Sequence, residues 1–173
     1  MCCVINNRVF CVHGGVSQYA KTLQELEDAR SNRGLICDLI WSDPREVEGF
    51  AKSDRKVGHF YSHDAVVDFL DRNGLEIMIR AHSYVPRGYR WNFGPDGRCL
   101  TVFSSSGYEG KGNLAAVAIV KEAVRDIKTE IMSPFTEEML AKRRILIPTW
   151  AIAEQQLMKP PMYVPDVYNK LIL

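Results

Sequence analysis

Two short apolar runs, each ending at a histidine, constrain this chain more than any other feature. Arg8-Val9-Phe10-Cys11-Val12 reads as a buried strand and stops at His13-Gly14-Gly15. Glu76-Ile77-Met78-Ile79-Arg80 reads as a second strand and runs into Ala81-His82. Apolar runs this short suit strands buried in a sheet. Paired glycines directly after a strand mark a sharp turn where the backbone approaches something closely.

Between and beyond these runs the pattern mixes helix and strand. Thr22 with Glu25 forms a capping-box signature, with Leu23 and Leu26 at helical spacing. Gly34 to Trp41 is a short apolar stretch stopped by Ser42-Asp43-Pro44. Residues 45–61 are polar and irregular and read as a loop. Asp64 to Asn73 carries Val66, Val67, Phe69 and Leu70 on one helical face, with Gly74 placed to end it. Gly88–Phe93 and Arg98–Phe103 flank Gly94-Pro95-Asp96-Gly97, a hairpin signal. Ser104 to Asn113 is a glycine-containing loop, and Leu114–Val120 a further strand. Val124–Met132 fits either period. A helix is expected from near Thr136 towards Ile147, where Pro148 breaks it, and Lys159-Pro160-Pro161-Met162 begins an extended tail. The fold class is α/β or α+β with a substantial sheet.

Composition supports a globular domain, since 46% hydrophobic residues suffice for a core. A net charge of +1 gives no electrostatic reason for a nucleic-acid or membrane partner. No apolar run approaches the ~20 residues of a membrane span, and the start of the chain has no signal-peptide pattern. Five cysteines, Cys2, Cys3, Cys11, Cys37 and Cys99, lack a secreted spacing. Free thiols in the cytoplasm or nucleus are the expectation.

Several residues are candidates for chemistry, each with a plainer alternative. His13 and His82 sit at strand ends, where neutral imidazoles are held rigidly enough to bind metal. An ordinary hydrogen-bonded histidine is the alternative. Arg55 and Arg80 can grip phosphate in a bidentate fork, or serve as solvated surface arginines. Tyr108 can donate to an oxyanion or pack as a loop aromatic. Asp43 can ligate a metal, although Asp43-Pro44 is more simply a turn. Cys2, Cys3, Cys11 and His13 could in principle hold zinc, but adjacent cysteines do not match the usual spacings.

The order of the motifs adds a resemblance. Phe10-Cys11-Val12-His13-Gly14-Gly15-Val16-Ser17 is followed by Gly34-Leu35-Ile36-Cys37-Asp38-Leu39-Ile40-Trp41-Ser42-Asp43-Pro44. Then come Ser53-Asp54-Arg55, Ile79-Arg80-Ala81-His82, and Thr101-Val102-Phe103-Ser104 with Tyr108. Over roughly residues 8–131 this closely resembles the phosphoprotein phosphatase family of metal-dependent serine/threonine phosphatases.

The resemblance implies the C-terminal portion of a calcineurin-like metallophosphatase β-sandwich flanked by helices, over residues 1–132. Residues 133–173 form an extension of unknown role. It implies phosphoserine and phosphothreonine proteins as substrates and a possible regulatory subunit. It also implies two divalent ions, manganese or iron with zinc, in the full family site, and at most weak binding of one ion by this chain. His13 and His82 match metal ligands, Arg55 matches a phosphate-gripping arginine, and Tyr108 matches a tyrosine lining the site. The family's Gly-Asp-x-His-Gly, Gly-Asp-x-x-Asp-Arg-Gly and Gly-Asn-His-Glu motifs do not occur. Neither the bridging carboxylate nor the general-acid histidine is therefore expected within this chain, and activity of the chain alone is expected to be absent. A non-catalytic module that binds substrate or partner is the alternative.

Within the matched part, the family's Asp-Arg-Gly becomes Asp54-Arg55-Lys56, and its Gly-Trp becomes Gly49-Phe50. Its Ser-Ala-Pro-Asn-Tyr-Cys loop becomes Ser104-Ser105-Ser106-Gly107-Tyr108-Glu109. Loss of the proline and gain of Gly107 should loosen that loop, and Glu109 adds a negative charge near an anion site.

Overall fold

In the computed structural model, the described residues are 2–134, apart from 30, 95 and 122–126. The central sheet has five strands in the order β1-β2-β6-β8-β7. β1 (Cys2–Ile5) and β2 (Val9–Val12) form an antiparallel hairpin. Its turn passes through Asn6 and Asn7, with φ of 51° and 52°, the left-handed region that asparagine tolerates in tight hairpins. β2 then runs parallel to β6 (Ile77–Arg80), and β6 parallel to β8 (Cys99–Val102). β7 (Tyr89–Asn92) closes the far edge, antiparallel to β8, as the hairpin signal predicted.

Parallel neighbours require a crossover. That crossover carries α1 (Leu23–Asp28), α2 (Arg33–Trp41) and α3 (His63–Arg72). Thr22 and Glu25 make the full capping box at α1. Asn32 caps α2 through the amides of Gly34 and Leu35. The apolar stretch 34–41 is thus helical, burying Leu35, Asp38 and Leu39 on one face. Ser62 caps α3, and Gly74 follows it at φ 62°.

The core lies between the helices and one face of the sheet. Phe10, Val12 and Met78 from the sheet pack with Leu26, Leu35, Leu39, Val66, Phe69 and Leu70. The Phe10 and Phe69 rings lie 4.8 Å apart. Both are almost wholly buried, and each such side chain contributes about 1.5–3 kcal/mol.

The segment read as a loop over 45–61 contains two strands. β4 (Phe50–Lys52) and β5 (His59–Tyr61) join β3 (Asp43–Pro44) in a three-stranded sheet of order β3-β5-β4. Its polarity misled because only one end is buried, at Phe60 and Tyr61. Within the ambiguous stretch, Lys128–Met132 forms β10, antiparallel to β9 (Ala115–Ile119), and residues 124–126 lie outside the described residues. The helix expected near Thr136 and the extended tail lie outside the described residues.

Candidate active site

Parallel register brings the two strand-end histidines together. Val12 pairs with Arg80, so His13 leaves the sheet level with Ala81, whose amide donates to the His13 carbonyl at 3.1 Å. The His13 and His82 rings meet edge-on with centroids 5.1 Å apart. The Trp41 ring stands perpendicular to His82 at 5.3 Å.

The glycines after His13 are required by close approach. A Cβ on Gly14 would lie 2.6 Å from the Ile40 carbonyl carbon, and one on Gly15 would lie 2.1 Å from the Tyr61 ring. The Gly14 amide donates to Leu39 O at 2.7 Å. This loop is therefore clamped onto the end of α2.

Both imidazoles are held neutral. Burial, then the Arg80 charge, lowers the His13 pKa. Burial lowers His82 to about 4; Asp43 opposes this, while Arg80, Arg55 and His13 reinforce it. The Nε2 of His82 is buried without a hydrogen-bond partner. His82 also adopts φ 61°, a strained value for a residue with a Cβ. Neutral nitrogens at strand ends are the form in which histidine binds metal.

Beside them lies a charged hub that sequence reasoning did not assemble. Asp43 Oδ1 accepts from Arg80 Nη2 at 2.9 Å and from Ser83 Oγ at 2.5 Å. Its Oδ2 accepts from Arg55 Nε at 2.8 Å. Arg80 also donates to Gly14 O at 2.7 Å and to Ser42 O at 3.1 Å. Its side chain has no exposed surface. Arg80, a candidate anion contact by sequence, is thus committed to the scaffold. Arg55 differs, because its side chain is 44% exposed while Asp43 holds its Nε. Lys56, the next residue, has φ 64°, a conformation that glycine adopts without strain.

Tyr108 belongs to a neighbouring aromatic group. Its ring lies 5.4 Å from Phe103 and 6.4 Å from Tyr84, two residues after His82. The loop expected to be loose is tied down by buried Asn113. The Asn113 side chain accepts from the Tyr108 amide and donates to Ser105 O, each at 2.8 Å. Glu109 is paired with Lys111 Nζ at 2.6 Å, which offsets its added charge.

A second buried acid, Asp38, also escaped the sequence. It accepts from Ser17 Oγ at 2.7 Å, lies 2.6 Å from His59 Nδ1, and accepts from Ser42 Oγ at 3.3 Å. It ties the loop after His13 to α2 and β5. Its signal was a carboxylate on the inner face of an apolar helix, between Leu35 and Leu39.

Among the described residues, no group of three or more His, Cys, Asp or Glu side chains could hold a metal ion. A catalytic divalent ion generally takes at least three protein ligands. The two imidazoles therefore do not complete such a site by themselves, and Asp43 is already engaged by two arginines. The zinc alternative fails on strand geometry. Cys2 and Cys3 are successive residues of β1, so their side chains point to opposite faces.

The sequence profile of the calcineurin-like phosphoesterases matches residues 1–86, a span that includes both histidines and the Asp43 hub. Over 147 residues the chain is 34% identical to the serine/threonine-protein phosphatase 6 catalytic subunit of Drosophila melanogaster. The chain belongs to the phosphoprotein phosphatase family. That alignment covers 81% of this chain and 48% of the relative. The serine/threonine-protein phosphatase 4 catalytic subunit of Saccharomyces cerevisiae is 40% identical over 120 residues, or 66% of this chain and 38% of the relative. The phosphoprotein phosphatase fold is matched in three dimensions as well. A solved Saccharomyces cerevisiae protein serine/threonine phosphatase, described as similar to human phosphatase PP5, superposes with a TM-score of 0.66 at 26% identity. That match covers 79% of this chain and 47% of the other. The chain spans about half the length of the curated relatives it matches. Among the described residues, no helix is long and apolar enough to cross a membrane.

Proposed function

We propose that this chain is part of the catalytic domain of a serine/threonine protein phosphatase. In this reading it supplies His13 and His82 as metal ligands, and Arg55 with Tyr108 as phosphate contacts. The observation that carries the reading is the meeting of two neutral strand-end imidazoles beside an arginine oriented by a buried carboxylate. Asp43 fixes the Nε edge of Arg55, which orders a flexible side chain before a phosphate arrives. Phosphoserine and phosphothreonine proteins are the substrate class, with a regulatory subunit as a possible further partner.

Among the described residues, no group of three or more His, Cys, Asp or Glu side chains could hold a metal ion, so the two imidazoles stand without a bridging carboxylate. No chemical step is therefore assigned to a metal held by the chain alone. At most weak binding of one divalent ion is expected. Binding phosphate without stabilising the transition state does not accelerate hydrolysis. Alone, the chain behaves as a phosphate-binding module, and the half-exposed Arg55 favours that second reading.

The test uses the 173-residue chain with manganese and a phosphopeptide, beside His82→Ala and Arg55→Ala. We expect no turnover, weak manganese binding lost in His82→Ala, and phosphopeptide binding lost in Arg55→Ala. Metal-dependent turnover that His82→Ala abolishes would overturn the partial-domain reading. Unchanged phosphopeptide binding in Arg55→Ala would remove Arg55 from the site.

A further inference from the structure

The β1–β2 hairpin places two thiols directly across from one another. Cys3 is the register partner of Cys11, so the two side chains project from the same face of the hairpin. Directly opposed residues of an antiparallel pair have Cα atoms about 4.5 or 5.5 Å apart, according to the type of pair. Both spacings lie within the window of about 4.4–6.8 Å that a disulfide spans.

We propose that Cys3 and Cys11 are a reversible dithiol site, oxidised by hydrogen peroxide to a disulfide across the hairpin. Cys3 is exposed and meets the oxidant, while Cys11, beside it on the neighbouring strand, is half-buried. The Cys3 thiol gives up its proton and the thiolate attacks one peroxide oxygen; the O–O bond breaks, and the departing hydroxide takes up that proton and leaves as water. Cys3 is then a sulfenic acid. Cys11 gives up its proton, and its sulfur attacks the Cys3 sulfur. The S–O bond breaks, the hydroxyl leaves as a second water, and the S–S bond forms. Two electrons pass from the sulfur pair to the peroxide.

The remaining cysteines are less suited. Cys2 stands opposite Val12, on the face of β1 away from Cys3 and Cys11. Cys37 accepts from the Gly58 amide at 3.3 Å, 21 residues away on the β5 side. Cys99 is buried in β8. The site is also well placed to matter, because Cys11 lies two residues before His13 in the same strand-to-loop passage.

The experiment treats the full chain with hydrogen peroxide, alkylates free thiols, and digests with trypsin without reduction. Cleavage after Arg8 and Lys21 separates residues 1–8 from residues 9–21, so a link between them is read directly by mass. Fragmentation between Cys2 and Cys3 identifies the linked sulfur. The expected result is loss of two of the five thiols, a Cys3–Cys11 link, and recovery of all thiols with dithiothreitol. Cys2→Ser should keep the link and Cys3→Ser should abolish it. A dominant Cys2–Cys3, Cys2–Cys11 or intermolecular link, or oxidation to sulfinic acid without a link, would overturn the proposal. So would linkage as fast in urea as in buffer, since strand register would then play no part.

Discussion

Replacing Asp43 with asparagine tests whether the hub holds the site together. Arg80 is fully buried, and of the four groups that accept from it only Asp43 carries a negative charge. Breaking a buried ion pair by removing one partner costs roughly 3–5 kcal/mol, because a charge is left uncompensated. The asparagine oxygen and three neutral acceptors keep the loss at the low end. The Arg55 pair is nearly half exposed and adds about 0–1 kcal/mol. A loss of about 3 kcal/mol at neutral pH follows, read from urea unfolding with an unchanged m-value.

The pH dependence supplies a second check. Burial raises the Asp43 pKa, but Ser83, Arg55 and Arg80 outweigh it, and the net shift is downward. A depressed folded pKa means stability that is complete above the unfolded value of about 3.9 and lost as pH falls through the folded value. The gap between the native chain and Asp43→Asn should therefore close below about pH 4. A loss under about 1 kcal/mol at pH 7, or a gap unchanged into acid, would refute the account of the hub.

Two further outcomes follow from the site. His82 should titrate near 4 by NMR; since its folded pKa lies below the unfolded value of about 6.5, stability should fall as pH drops from 6.5 to 4, and His82→Gln should remove that component. A His82 midpoint near 6.5 would contradict its burial. Gly14→Ala should cost about 1–3 kcal/mol in urea unfolding, because the clashing atoms are the backbone of Ile40 and Trp41 and cannot swing aside; a cost under about 0.5 kcal/mol would show that the loop is not clamped on α2.

Much of the fold was legible because the responsible interactions are local. The capping box joins Thr22 and Glu25, three positions apart. The β7–β8 hairpin and the Gly74 stop are likewise written within a few residues. The motif order identified the family. What the tertiary structure alone decided involves partners far apart in sequence. β4 and β5 exist because β5 pairs with β3 and is anchored to Asp38, 21 residues back. Arg80 turned from a candidate phosphate contact into a buried strut because Asp43, 37 residues away, lies beneath it. Tyr108 joined Tyr84 and Phe103 rather than the histidines directly, and Asn113 cinched a loop whose own composition reads as loose. For Arg80 and Asn113, a polar side chain's role was set by what became buried against it. Burial depends on long-range packing, and neither spacing nor residue type carries it.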